Sequence, residues 1–280
     1  MGLLESVPNF SEGRDTATIA AIGDAIAARA RLLDVHSDVD HNRSVFTLVG
    51  EDGELIDALV AAVAVARERI DLRQHAGAHP RIGAADVVPI VPLAPADLER
   101  AHDVALQLGQ RIGALGIPVF VYEPPERGPA YYRRGGTAEL QRRLGVGEIR
   151  PDFGPSRLDP ATGGVILGAR KPLIALNVNL HGPLELAKEI ADLVRERGGG
   201  FHGVRALGLN LPTAGLVQVS MNIEDWPFAP PHRVVERIRV EAAARGAEVA
   251  GYEVVGLIPA GAAVGLDALD PSRILETRLP

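Results

Sequence analysis

The sequence predicts an α/β chain of the α+β type, built from two tandem β-α-β-β-α-β units that meet near Pro172. Three observations carry that prediction. Short apolar runs bounded by Gly, Pro, Asn and Asp alternate with longer segments whose apolar residues fall three and four apart. The order of these elements occurs twice along the chain, without obvious sequence similarity between the two copies. A length of 280 residues, 46% of them hydrophobic, suffices for one large core or for two domains of roughly 100–170 residues.

Residues 3–10 read as the first strand, and Ser11-Glu12-Gly13-Arg14 as a turn carrying a cation. Asp15 is placed to cap a helix reaching residue 29, with Ile19, Ile22 and Ile26 on one stripe. Residues 32–40 and 44–49 form two strands joined by the polar turn His41-Asn42-Arg43, a hairpin pattern. A helix over 54–70 turns Ile56, Leu59, Val60 and Val63 to one face, and an apolar strand over 87–91 completes the first unit. That order is ferredoxin-like, βαββαβ. A further helix over 96–115 and strand over 118–122 extend it, Gly116 ending the helix. Residues 123–149 read as irregular, with a short helix at 138–144, and 152–164 as a Gly- and Pro-rich loop between domains, within a polar cluster that reaches Arg170. The second unit places strands at 173–180, 204–211, 216–222 and 250–257, and helices at 183–197 and 231–245. The domains are therefore expected over residues 1–172 and 173–280.

Composition excludes several chemistries. The chain has no cysteine, so disulfides, thiolate metal sites and a cysteine nucleophile are ruled out. A formal charge of −7 argues against nucleic acid as the main partner, because that affinity rests on clustered basic residues. All but two of the 29 basic residues, Lys171 and Lys188, are arginines, which can build a local pocket for carboxylates inside an acidic protein. Residues 1–7 lack a basic region followed by an apolar core, and no apolar run reaches about 18 residues. A soluble, cytoplasmic protein with no membrane contact is expected.

The stretch that concentrates reactive groups is residues 77–92, G-A-H-P-R-I-G-A-A-D-V-V-P-I-V-P. His79 sits between Gly77 and Pro80 in a loop opening onto an apolar strand, where an imidazole is well placed for proton transfer. The bland alternative is that it bonds the loop backbone. Asn177 and Asn179 share one face of a strand, where either a ligand or a neighbouring loop could satisfy them. His36, Asp38 and His41 could bind a divalent metal for hydrolysis, but a hairpin turn also favours such residues for local bonding. His75 and His79 are four apart, yet Gly77 and Pro80 break the helix that would let both meet one zinc. No phosphate loop, dinucleotide fingerprint or G-x-S-x-G elbow is present.

Taken together these clusters resemble the glutamate formiminotransferase (formimidoyltransferase) family in its stand-alone form, without a cyclodeaminase domain. The resemblance rests on V-P-N-F-S-E-G-R at 7–14, H-N-R-S-V-F-T-L-V-G at 41–50 and H-P-R-I-G-A-A-D-V at 79–87. It continues with P-D-F-G-P-S at 151–156, G-A-R-K at 168–171 and A-L-N-V-N-L at 175–180. The resemblance implies a homodimeric, folate-dependent transferase of histidine breakdown that moves a formimino group between 5-formiminotetrahydrofolate and L-glutamate without a metal. Its catalytic histidine falls on His79 as general base. Its folate-binding loop falls on Gly154-Pro155-Ser156-Arg157-Leu158-Asp159-Pro160-Ala161-Thr162-Gly163. Arg43, Arg81, Arg157 and Arg170 become candidates for the carboxylates of glutamate and folate, with Asn177 a further substrate contact. Ala78, Thr162 and His36 depart from the animal members, which carry glutamate, tryptophan and aspartate there. A folate-binding relative using another acceptor is the nearest rival.

Overall fold

A computed structural model describes residues 2–122 and 127–279; part of the expected irregular stretch, residues 123–126, lies outside the described residues. Contacts divide the chain into two compact units, Met1–Lys171 and Pro172–Pro280. The α/β class expected from the sequence holds, with one sheet in each unit. No helix among the described residues is long and apolar enough to cross a membrane.

In the first unit the opening strand is interrupted. β1 (Leu4–Ser6) and β2 (Asn9–Phe10) are separate because Pro8 has no N–H for a ladder, although its carbonyl still accepts from Phe46 N at 3.0 Å. Both pieces lie between β4 (Arg43–Gly50) and β5 (Ala85–Pro92), and β3 (Arg31–Asp38) pairs β4 as the expected hairpin. Helix α1 (Thr16–Ala27) starts where Asp15 accepts from Ala17 N at 3.0 Å and Thr18 Oγ1 at 2.6 Å. Helix α2 (Asp52–Arg69) opens on a capping box of Glu51 and Glu54 and ends on Arg67 and Arg69, both matched to the helix dipole. Helix α3 (Leu98–Ala114) leads to β6 (Val119–Val121), followed by α4 (Pro129–Arg133) and α5 (Gly136–Gly145).

The expected interdomain loop over 152–164 lies within the first unit, and a strand not expected from the sequence follows it. Residues Val165–Ala169 form β7, inserted parallel between β5 and β6 inside the first sheet. Buried on both faces, β7 shows no alternation, and the run V-I-L-G-A between two glycines and Arg170-Lys171-Pro172 reads as loop. The sheet runs β3–β4–(β1, β2)–β5–β7–β6, antiparallel up to β5 and parallel beyond. Phe10, Phe46, Leu48, Leu55, Leu59, Ile90 and Leu108 fill its helix-covered face, Phe10 and Phe46 meeting edge-on at 5.4 Å. Each such side chain, fully buried, is worth about 1.5–3 kcal/mol. Helices α4 and α5 cover the opposite face, over β6 and β7, through Phe120, Tyr132, Leu140, Leu144 and Ile166.

The second unit comprises β8 (Ile174–Leu180), α6 (Leu184–Val194), β9 (Val204–Leu211), β10 (Leu216–Ile223), α7 (Pro231–Ala244) and β11 (Val249–Val254). Its antiparallel sheet runs β11–β8–β10–β9. The strands of the repeated pattern thus lie fourth–first–third–second, as β5, (β1, β2), β4 and β3 do in the first unit. Ile174, Leu176, Val178 and Leu180 alternate toward the helices, leaving Ala175, Asn177 and Asn179 on the other face.

Candidate active site

One end of the first sheet gathers most of the reactive residues. There β2 ends, β3 turns into β4, and β5 and β7 both begin. Loops rather than strands hold the polar groups, and the chain laces those loops together. Asn42, in the left-handed conformation at φ 47, accepts from Gly13 N at 2.9 Å and donates to Ala76 O at 3.1 Å. Ser11 donates through N to Ala84 O at 2.8 Å and through Oγ to Gly83 O at 2.7 Å. Gly77 is required for close approach, since a Cβ there would stand 2.2 Å from His41 O. Ala78 N donates to Asp40 O at 3.0 Å.

Arg81, a candidate for substrate carboxylates, faces these loops instead. It donates to His41 O at 2.8 Å, Asn42 O at 3.0 Å and His79 O at 2.7 Å, and its Nη1 also lies 2.8 Å from His75 Nε2. Burial lowers its pKa to about 10, against the pull of Asp86, so it stays cationic at neutral pH. Its guanidinium acts as a lock between the hairpin turn and the loop that carries His79.

Behind that loop lies Asp86, with no exposed surface. Its Oδ1 accepts from Ile82 N at 2.8 Å, and its Oδ2 from Arg43 Nη1 at 2.9 Å and Arg133 Nη2 at 2.5 Å. Burial alone would raise this carboxyl, but Arg133 and Arg43 hold it well below the usual range. Arg43 also donates from Nε to Asn9 Oδ1 at 2.9 Å. Burial, opposed by Asp86, brings Arg43 down to about 10, which leaves it charged. Two guanidinium groups therefore share one carboxylate.

His79 is half-buried. Its Nδ1 lies 2.8 Å from Pro80 O, and its ring stacks on His41 with centroids 6.0 Å apart. A carbonyl can only accept, so Nδ1 carries the proton and Nε2 the lone pair. Burial first, then the charges of Arg43 and Arg133, hold the imidazole well below its ordinary pKa; Asp86 and the Pro80 carbonyl oppose them. The ring is a neutral base at pH 7. Pro80 O orients the ring.

The loop over 154–163 divides in two. Gly154, Pro155, Ser156 and Arg157 are exposed, whereas Leu158 is buried in the cluster under α5, with its N–H on Gln141 Oε1 at 2.9 Å. Gly163 N returns to Asp159 O at 2.7 Å, and Thr162 O accepts from Ala84 N at 2.8 Å. Gly163, at φ +72, lies so close to Ile82 that a Cβ would stand 2.0 Å from its carbonyl. Residues 158–163 are thus fastened to 82–84, a few residues from His79.

Other expected residues lie elsewhere. Arg170 follows the far end of β7, its N–H on Ile90 O at 3.0 Å, roughly 15 Å along the sheet from the start of β5. Asn177 belongs to the second unit, donating to Glu253 Oε1 at 3.0 Å, beside a Gln218–Asn179 bond of 2.9 Å. Asp38 accepts from His41 N at 2.6 Å, a local turn bond. Among the described residues no three His, Asp or Glu side chains come together as a metal site.

Two residues of the cluster escaped sequence reasoning. Asp86 read only as the opening of a strand, and Arg133 lay in a stretch without periodicity. The available signal was Asp86 itself, since a carboxylate at the mouth of a fully apolar strand must find cationic or N–H partners.

Comparison with known proteins bears on the whole chain. The family profile described as formiminotransferase domain, N-terminal subdomain, matches residues 3–170, and that described as formiminotransferase domain matches residues 175–268. The glutamate formimidoyltransferase of Thermoplasma acidophilum is 40% identical, over 100% of this chain and 98% of that protein. Its counterpart in Streptococcus pyogenes serotype M1 is 38% identical, over 94% and 91%. The formimidoyltransferase-cyclodeaminase of Rattus norvegicus is 38% identical over 92% of this chain but only 50% of its own length.

Proposed function

The chain belongs to the formiminotransferase family, and on that premise we propose that it moves a formimino group between 5-formiminotetrahydrofolate and L-glutamate, with His79 as general base. The observation that carries this reading is the imidazole itself: Nδ1 is fixed on Pro80 O, and a basic Nε2 remains beside a cationic cluster.

In transfer, the attacking nitrogen bonds to the formimino carbon and must shed a proton. His79 Nε2 takes it. When the adduct collapses, the imidazolium returns that proton to the departing nitrogen, so the base is regenerated and no net charge accumulates. Such catalysis contributes about 10²–10⁴-fold, the remainder coming from holding two substrates together. Glutamate and the folate tail both bring carboxylates, which the unequal charge of Arg43 and Arg133 against Asp86 attracts. The exposed arm Gly154-Pro155-Ser156-Arg157 and the fastened residues 158–163 form the folate-side wall in this reading. Arg170, beyond the far end of β7, is assigned to a more distant part of the substrates, and Asn177 is a further substrate contact in this reading. The reaction belongs to histidine breakdown, in a cytoplasmic homodimer, and tetrahydrofolate is a co-substrate rather than a resident group.

The test is direct conversion: purified protein with 5-formiminotetrahydrofolate and either L-glutamate or another amino acid, followed by release of tetrahydrofolate. Release dependent on glutamate is expected. Release with another amine alone would overturn glutamate as the acceptor, and none with any amine would overturn transfer.

A further inference from the structure

The bond on the His79 ring comes from the next residue in the chain, Pro80. Two side-chain torsions carry an imidazole, and one bond to a neighbouring carbonyl fixes a single distance, so a second contact is needed to set the plane of the ring. His41 makes that contact. Its ring lies 26° from the plane of the His79 ring with centroids 6.0 Å apart, inside the range of about 4.5–7 Å for paired rings. His41 is only 6% exposed, whereas His79 is half-buried. The backbone of His41 is held on both sides: its N donates to Asp38 Oδ1 at 2.6 Å and its O accepts from Arg81 Nη2 at 2.8 Å. The same Arg81 nitrogen donates to His79 O at 2.7 Å. One guanidinium nitrogen thus joins the backbones of the two histidines. Ala78 N on Asp40 O, at 3.0 Å, ties the residues that immediately precede them.

We propose that His41 is a positioning residue for His79: the flat face of its buried ring sets the plane of the His79 imidazole, so that Nε2 keeps one direction while Nδ1 stays on Pro80 O. This rests on the reading of His79 as the base. Proton transfer needs the lone pair of Nε2 aimed at the attacking nitrogen, and a misplacement of about 1 Å costs on the order of 10²-fold. A stacked ring suits this task because it meets the face of the imidazole and leaves the edge that bears Nε2 open to substrate. Arg81 serves the same end at the level of the backbone, since it keeps the two loops in step. The demand on position 41 is therefore planarity, and the nitrogens of His41 take no part in the transfer.

Three substitutions separate the stack from the space it fills. His41→Ala removes the ring, His41→Leu fills the space without a flat face, and His41→Phe restores the face without nitrogens. For transfer to L-glutamate, kcat is expected to fall at least about 10-fold in His41→Ala and His41→Leu, with KM for either substrate within about twofold of wild type. His41→Phe should recover most of that loss. Nitrogen NMR of the imidazole reads the His79 ring directly at neutral pH. One tautomer, protonated at Nδ1, is expected in wild type and His41→Phe, and an average of both tautomers in the other two. Wild-type kcat in His41→Leu would show that bulk suffices, and His41→Phe as slow as His41→Ala would show that a nitrogen is needed; either result overturns the proposal. Should His41→Ala fail to fold, the His41→Leu and His41→Phe pair makes the same comparison, and a wild-type ring that averages both tautomers overturns the proposal without any variant. A different failure is recognisable: if His79→Ala turns over undiminished, His79 is not the base, while the tautomer signal still judges the stack.

Discussion

At the scale of single residues, geometry at His79 depends on contacts with no slack. Gly77 lies against the hairpin turn so closely that a methyl group would stand 2.2 Å from a backbone carbonyl. A backbone neighbour cannot swing aside as a side-chain tip can, so Gly77→Ala must displace the loop two residues before the imidazole. A displacement of about 1 Å in a catalytic group costs on the order of 10²-fold. Gly77→Ala is therefore expected to lose at least about 10-fold in kcat, with a melting temperature within a few degrees of wild type. Gly53→Ala, in α2 where an added Cβ meets nothing within 4 Å, should leave kcat unchanged and stabilise slightly, by about 0.5–1 kcal/mol. Equal rates for both variants would show that the loop is free to relax. The loop around His79 was legible in the sequence because Gly77 and Pro80 announce a break between helix and strand. The bonds of Arg81 were not legible, because the carbonyls that engage it come from a turn about 40 residues away. Asp86 and Arg133 were illegible as a pair for the same reason: the partnership is made by tertiary packing, and spacing along the chain carries no trace of it.

At the scale of elements, the helices declared themselves most plainly. Asp15 and Gly116 mark ends that the structure places within a few residues of expectation. The strands were less even. A proline split the first into β1 and β2, and β7 was hidden because a doubly buried parallel strand shows no alternation. That omission matters, since β7 begins immediately after the loop fastened beside His79. Leu167, at its centre, has no exposed surface and packs into the core of the first unit. Leu167→Ala should cost about 2–5 kcal/mol through lost burial and the cavity left behind. Urea unfolding would register it as a lowered midpoint with the slope unchanged. A cost below about 1 kcal/mol would indicate that 165–169 is not a core strand.

At the scale of the molecule, one strand order recurs in two units whose sequences show no obvious similarity. What repeats is the alternation of periods, and the apolar pattern conveyed it where residue identity did not. The chemistry is not repeated. The first unit holds the imidazole and the shared carboxylate; the corresponding sheet of the second holds an amide and carboxylate network around Glu253. Charge shows the same division between whole and part. A chain of net charge −7 gathers two arginines on one buried carboxylate, Asp86. The global balance says nothing of where positive charge concentrates; local packing shows it around Asp86.

The central claim is that the imidazole of His79 carries the proton in formimino transfer. The most direct measurement is the transfer rate of His79→Ala beside wild type, with folate binding measured on both. The account predicts a loss of at least about 10²-fold in kcat with folate affinity retained. Undiminished turnover in His79→Ala would contradict it.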